Sequence, residues 1–137
     1  MNAPGVELSG AGNKVKAMPH IDSTQFGEVV IDNKKYHQVL IIGEKVEERD
    51  CEKLKKLFDT SHKIGNWEIK ELLSNNPEII IIGTGQDGAM EPDKEIVNKF
   101  KVMSIEVIMT ETPKAIGIYN EKAKSGKRIN ALIHTTC

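Results

Sequence analysis

The chain has 137 residues, 28% of them charged and 4% aromatic, with a formal net charge of −1. That length supports one domain with a proper core, and the near-neutral balance removes the electrostatic case for a nucleic-acid binder, which needs a basic face. No apolar run approaches the ~20 residues of a membrane span, and Cys51 and Cys137 are too few for a disulfide scaffold, so a cytoplasmic protein in a reducing compartment is expected.

Residues 1–19 read as a flexible Gly/Ala/Asn-rich arm closed by Pro19. They carry Lys14 and Lys16 but resemble neither a secretory signal nor an Arg-rich transit peptide. Residues 20–137 then read as a single α/β domain. Two β-rich runs, 26–31 and 36–42, flank Asp32-Asn33, a dipeptide that tolerates left-handed backbone angles, and together they predict an antiparallel hairpin. Asp50 is placed to cap a helix whose Leu54, Leu57 and Phe58 recur at helical spacing, broken at residues 63–65. Asn66 is placed to cap a second short helix bearing Ile69, Leu72 and Leu73, stopped by Asn75-Asn76-Pro77.

Glu78 leads into Ile79-Ile80-Ile81-Ile82, a β-branched run that predicts a strand buried on both faces. Pro92 suits the first turn of a helix that turns Ile96, Val97 and Phe100 inward. Residues 105–109 give another strand. Thr112-Pro113 opens a helix that buries Ala115, Ile116, Tyr119 and Ala123 and ends at Gly126. Residues 128–134 form a last strand with Ile129, Ala131 and Ile133 on one face. From residue 66 the order is α-β-α-β-α-β, which implies a largely parallel sheet covered by helices.

The stretch Gly83-Thr84-Gly85-Gln86-Asp87-Gly88 has the G-x-G-x-x-G spacing of a dinucleotide-binding turn. In such a turn the pyrophosphate rests on the following helix N-terminus. Here Pro92 moves the helix start to about Glu91, away from the first two glycines, and Glu91 and Asp93 place negative charge there. Only two strands follow, and the ribose-binding acid has Glu111 as its one candidate, beside Thr112-Pro113, where capping explains it. No cofactor is expected. The loop still follows the C-terminal end of a central strand, where exposed amides make an anion nest. Arg128, one of two arginines, would add a countercharge if the fold brings it near. The candidate ligand-binding set is therefore Gly83, Thr84, Gly85, Gly88 and Arg128.

No metal site is expected. His134 and Cys137 lie three apart on a strand and so on opposite faces, while His20, His37 and His62 are scattered singly. Cys51 sits between Asp50 and Glu52, which would raise its thiol pKa rather than activate it. Serine is absent from any G-x-S-x-G elbow, and Thr84 has no identifiable base, so no catalytic residue is assigned.

Several ordered motifs assemble beyond these local readings. They are Ile21-Asp22-Ser23 leading to Phe26-Gly27, then Ile31-Asp32-Asn33-Lys34-Lys35-Tyr36, then residues 77–85. Tyr119-Asn120, Ser125-Gly126-Lys127-Arg128 and the tail Ala131-Leu132-Ile133-His134-Thr135-Thr136-Cys137 complete the set. From about residue 20 to the end, the chain resembles the domain-of-unknown-function family that includes the adipogenesis-associated domain protein and a mitochondrial assembly factor for respiratory complex I. The resemblance implies a three-layer α/β domain with a central mixed, mainly parallel sheet, flanking helices and an N-terminal antiparallel β-hairpin layer. It implies no established enzyme activity, and its eukaryotic relatives act through protein partners. Respiratory assembly is not carried over, because the transit peptide of the mitochondrial relatives is not seen. The expected function is a non-catalytic protein-interaction or assembly domain with an unknown protein partner. The alternative is a binding protein for a small anionic or nucleotide-like ligand at loop 83–88, and an enzyme acting through Thr84 or Cys137 is a third reading.

Overall fold

The computed structural model describes residues 17–137. Of the arm expected over residues 1–19, residues 1–16 lie outside the described residues, while Met18 packs against the core and Pro19 is buried.

The chain opens with an antiparallel sheet of three strands, β1 (Ile21–Gln25), β2 (Glu28–Ile31) and β3 (Lys34–Tyr36). Asp32 and Asn33 join β2 to β3 with φ of 48° and 67°, the double left-handed pair that matches the twist of a two-residue hairpin. The hairpin is thus where it was expected, but the run 36–42 is not one strand. Tyr36 ends β3, and Val39–Ile42 is β4 of a second sheet. Between them Gln38 turns inward to a buried arginine, and Thr135 Oγ1 donates to the His37 carbonyl at 2.6 Å, pinning the crossover.

Gly43, at φ 61°, then lets β4 fold back onto β5 (Lys45–Glu48), a charged strand at the sheet's edge. Charge at an edge discourages pairing with other chains, and the same charge hides the strand from a hydrophobicity reading. The second sheet has the order β5-β4-β8-β6-β7, with β6 (Ile79–Thr84), β7 (Glu106–Thr110) and β8 (Ile129–His134). Strand β6 runs parallel to both β7 and β8, whereas β4 is antiparallel to β8. This is the expected mixed, mainly parallel sheet.

Three layers result. Because side chains alternate along a strand, Ile79 and Ile81 enter a core shared with β1, β2 and α4 (Thr112–Ala123). Ile80 and Ile82 enter the opposite core, with Leu72 of α2 (Asn66–Leu72) and Phe100 of α3 (Lys94–Val102). The four isoleucines hold the two cores together through one strand.

Helix boundaries differ from expectation by one to three residues. Gly65 rather than Asn66 occupies the N-cap of α2, and the Glu68 carboxylate reaches back to accept from the Gly65 amide at 3.0 Å. Helix α3 starts at Lys94, past Pro92, and Thr112 lies inside α4 with Glu111 at the cap. Helix α1 (Cys51–Phe58) is capped as expected: Asp50 Oδ1 accepts from the Lys53 amide at 3.0 Å. Only Leu54 of its apolar trio is buried, while Leu57 and Phe58 face outward. Removing the cap in Asp50→Ala is expected to cost about 1 kcal/mol in urea unfolding. An unchanged midpoint would mean that α1 melts independently of the sheet.

Candidate functional site

Loop 83–88 leaves the C-terminal end of β6 and is held closed by the chain around it. A side chain at Gly83 would press on Thr112 Oγ1 at 2.8 Å, so the glycine admits α4 against the strand. Gly85 has φ of 108°, and a side chain there would overlap the backbone of Thr136 and Cys137. The Gly85 amide donates to Thr112 Oγ1, and the Gln86 amide to the Thr136 carbonyl, both at 2.9 Å. Those of Asp87 and Ala89 donate to the Cys137 backbone oxygen, the Gly88 amide to Gly85, and the Met90 amide to Thr84. Each amide from Gly85 to Met90 thus has a protein acceptor. Close approach and left-handed angles account for the glycine spacing, and the turn acts as a clamp on the segment leaving β8.

Arg128 stands at the other end of the sheet. It precedes Ile129, which pairs with Ile79 at the start of β6, whereas Thr84 pairs with His134 at the end. At about 3.3 Å per residue the separation from the loop is roughly 20 Å. The fold therefore does not join Gly83, Thr84, Gly85 and Gly88 to Arg128 in one site, because β6 and β8 are parallel. Arg128 Nε donates to the Asn76 carbonyl at 2.7 Å, and its guanidinium lies 3.6 Å from the Glu78 carboxylate. The Arg128 backbone amide also donates to Glu78 Oε2, and this bond, followed by the nearby cationic charge, holds the Glu78 carboxyl below its usual range.

Around Arg128 opens a cleft of about 1010 Å³, bounded by the β4–β5 turn, the end of α4 and the start of β8. Its charged lining residues are Lys45, Lys124, Lys127 and Arg128 against one acid, Glu44.

A buried polar network lies on the α2 side of the sheet, and sequence reading missed it. Arg49 and Glu68 form a two-pronged ion pair, at 2.7 Å from Nε and 2.9 Å from Nη2, with both side chains fully buried. The remaining guanidinium hydrogens go to Gln38 Oε1, the Ser61 carbonyl and the Lys63 carbonyl. Gln38 Oε1 also lies 2.8 Å from His134 Nδ1. Since that oxygen can only accept, Nδ1 carries the imidazole proton, and Nε2 is left to accept from the Thr136 hydroxyl at 3.1 Å. Burial pushes the His134 pKa down to about 4, assisted by the Arg49 charge and by His62, whose ring meets it edge-on at 4.8 Å. The imidazole is thus neutral and locked in one tautomer. Arginine at the end of a charged edge strand and a glutamate at a helix start gave no local hint that they would meet.

Among the described residues no cluster of three or more His, Cys, Asp or Glu could hold a metal ion, and no helix is long and apolar enough to cross a membrane. His134 is buried while Cys137 is exposed. The Cys51 thiol is pushed up, as expected in direction, but burial is the main cause rather than the flanking acids.

Among the described residues strand β7 pairs only with β6, and no strand lies on its other edge. Val107 and Ile108 are half-buried there and Met109 is 44% exposed, while Val102 and Met103, on the approach from α3, are 84% and 53% exposed.

Residues 21–134 match the model of a family described as a protein of unknown function, DUF498/DUF598. Among solved structures, a conserved hypothetical protein, PH1505 from Pyrococcus horikoshii OT3, is similar at 34% identity with a TM-score of 0.73, over 85% of this chain and 98% of that one. The protein MT938 is similar at 30% identity with a TM-score of 0.70, over 87% and 99% of the two chains. A Mth938-like domain from Bordetella pertussis shares the fold at 14% identity with a TM-score of 0.59, over 93% and 92%.

Proposed function

Because the chain belongs to the DUF498/DUF598 family of proteins of unknown function, we propose that it is a cytoplasmic protein-interaction or assembly domain rather than a catalyst. The observation that carries this reading is the edge of β7, unpaired among the described residues. Natural sheets blunt exposed edges with charge, as β5 does here with its Lys-Val-Glu-Glu sequence. Strand β7 instead carries Val107 and Ile108, half-buried against the two cores, and the exposed Met109 beyond Glu106, with Val102 and Met103 exposed on the approach to it. Its unpaired amides and carbonyls suit an extended, apolar segment of a partner protein added as a further strand. The backbone would supply affinity and the apolar side chains would supply buried area.

The experiment is capture of the partner from native cell extract by the tagged full chain, run beside Met109→Lys and Val102→Lys/Met103→Lys variants. These positions are exposed, so thermal stability is expected to stay within about 0.5 kcal/mol of the parent. A stoichiometric protein retained by the parent and lost from both variants is the expected result. No stoichiometric partner, or one that both variants retain, would reject the β7 edge. The alternative of an anion bound at loop 83–88 has less support, since its amides already have acceptors.

A further inference from the structure

We propose that the cleft at the start of β8 binds a small ligand carrying an anionic phosphate or carboxylate head on an apolar body. Four observations carry it. The first is the sign of the lining: four cations and one acid line it, and although Glu78 lies beside Arg128 and Glu47 beside Lys45, Lys124 and Lys127 leave an excess of positive charge where low-dielectric walls focus it.

The second is that two of these cations are available. Lys124 and Lys127 make no ion pair among the described residues. Arg128 is partly engaged, its Nε donating to the Asn76 carbonyl and its Nη1 lying 3.6 Å from the Glu78 carboxylate, which orients the planar group and leaves Nη2 without an acceptor among the described residues. Lys45, by contrast, lies 3.7 Å from the Glu47 carboxylate and is already engaged.

The third lies in the backbone. Gly126, at φ 82°, follows the end of α4, and a side chain there would meet nothing within 4 Å. The amides of Gly126 and Lys127 donate to no acceptor among the described residues, unlike every amide of loop 83–88 beyond Thr84. Two neighbouring free amides at a left-handed turn, backed by an arginine, make an anion-binding concavity.

The fourth is the floor. Met18, Ile42, Ala123 and Ile129 line the same space, and its volume matches pockets that enclose most of a small organic ligand.

A simpler explanation for basic residues here is the dipole of α4, whose C-terminal carbonyls favour cations. It accounts for Lys122 and Lys124 in and beside the last turn. Lys127 and Arg128 fall beyond the helix, and the dipole says nothing about the free amides or the apolar floor.

The test is a titration of the isotope-labelled full chain, followed by amide chemical shifts, with phenyl phosphate, benzoate and inorganic phosphate at low salt. Saturable shifts at Gly126, Lys127 and Arg128 are expected with phenyl phosphate, which should bind more tightly than inorganic phosphate. Saturation by benzoate in its place would assign the head group as carboxylate and support the same site. Lys124→Gln/Lys127→Gln, which removes exposed and unpaired charges, should weaken binding about tenfold without altering the fold. Arg128→Gln should weaken it as well. The proposal is overturned if none of the three probes gives saturable shifts at these amides, or if the lysine variant binds phenyl phosphate as tightly as the parent.

Discussion

Replacing Arg49 by methionine is expected to lower the unfolding free energy by about 3–5 kcal/mol, because it strands a carboxylate in a dry interior. Glu68 and Arg49 have no exposed side-chain surface, and Glu68 keeps only the Gly65 amide once the guanidinium is gone. The loss spreads beyond the pair. Gln38 and the carbonyls of Ser61 and Lys63 each lose a donor, and the segment from α1 to α2 loses its tie to the sheet. A double replacement, Arg49→Met/Glu68→Met, should recover part of the loss, since removing both charges removes the desolvation penalty. Recovery stays incomplete because the two carbonyls remain without partners. Urea unfolding of the two variants beside the parent decides it. A single variant within about 1 kcal/mol of the parent would show that water or a neighbouring group replaces the guanidinium.

The network explains why reading residues in order found the fold more readily than its polar interior. The isoleucine run at 79–82 announced a strand buried on both faces, because β-branched residues without alternation leave few other choices. Asp32-Asn33 announced a tight turn for an equally local reason. The run 36–42 misled because consecutive apolar residues look alike whether they form one strand or cross between two sheets, and the break at His37-Gln38 is set by partners almost a hundred residues away. Strand β5 escaped because edge strands are polar by need. The glycines of loop 83–88 were placed correctly at the end of a central strand. Their partners, Thr112 and the segment after β8, could be known only from the fold. Arg128 shows the same limit in reverse. Its chemistry was legible, but its place at the far end of the sheet follows from the parallel pairing of β6 with β8, which no local pattern encodes.

Acid should unfold this protein through His134. Its pKa in the fold, about 4, lies below the unfolded value of about 6.5. Between those two values the unfolded chain binds a proton that the folded chain refuses, so stability falls as pH drops from about 6.5 to about 4 and is unaffected by this group outside that window. At 1.36 kcal/mol per pH unit the full contribution is roughly 3 kcal/mol. The cause is structural. The ring is fully buried, Arg49 repels a second positive charge, and Gln38 fixes the neutral tautomer. Glu71 opposes this trend, since hydrogen bonding to Glu47 pushes its pKa up to about 6 and makes the fold bind a proton more readily. Comparing each pH with a His134→Asn variant cancels Glu71 and the other carboxylates. Asparagine can still donate to Gln38 Oε1 but cannot titrate. The difference in unfolding free energy between parent and variant should shrink by roughly 3 kcal/mol on going from pH 7 to pH 4. A difference that stays constant across that range would mean that the protonated imidazole is accommodated, and that the Gln38–His134 contact opens at little cost.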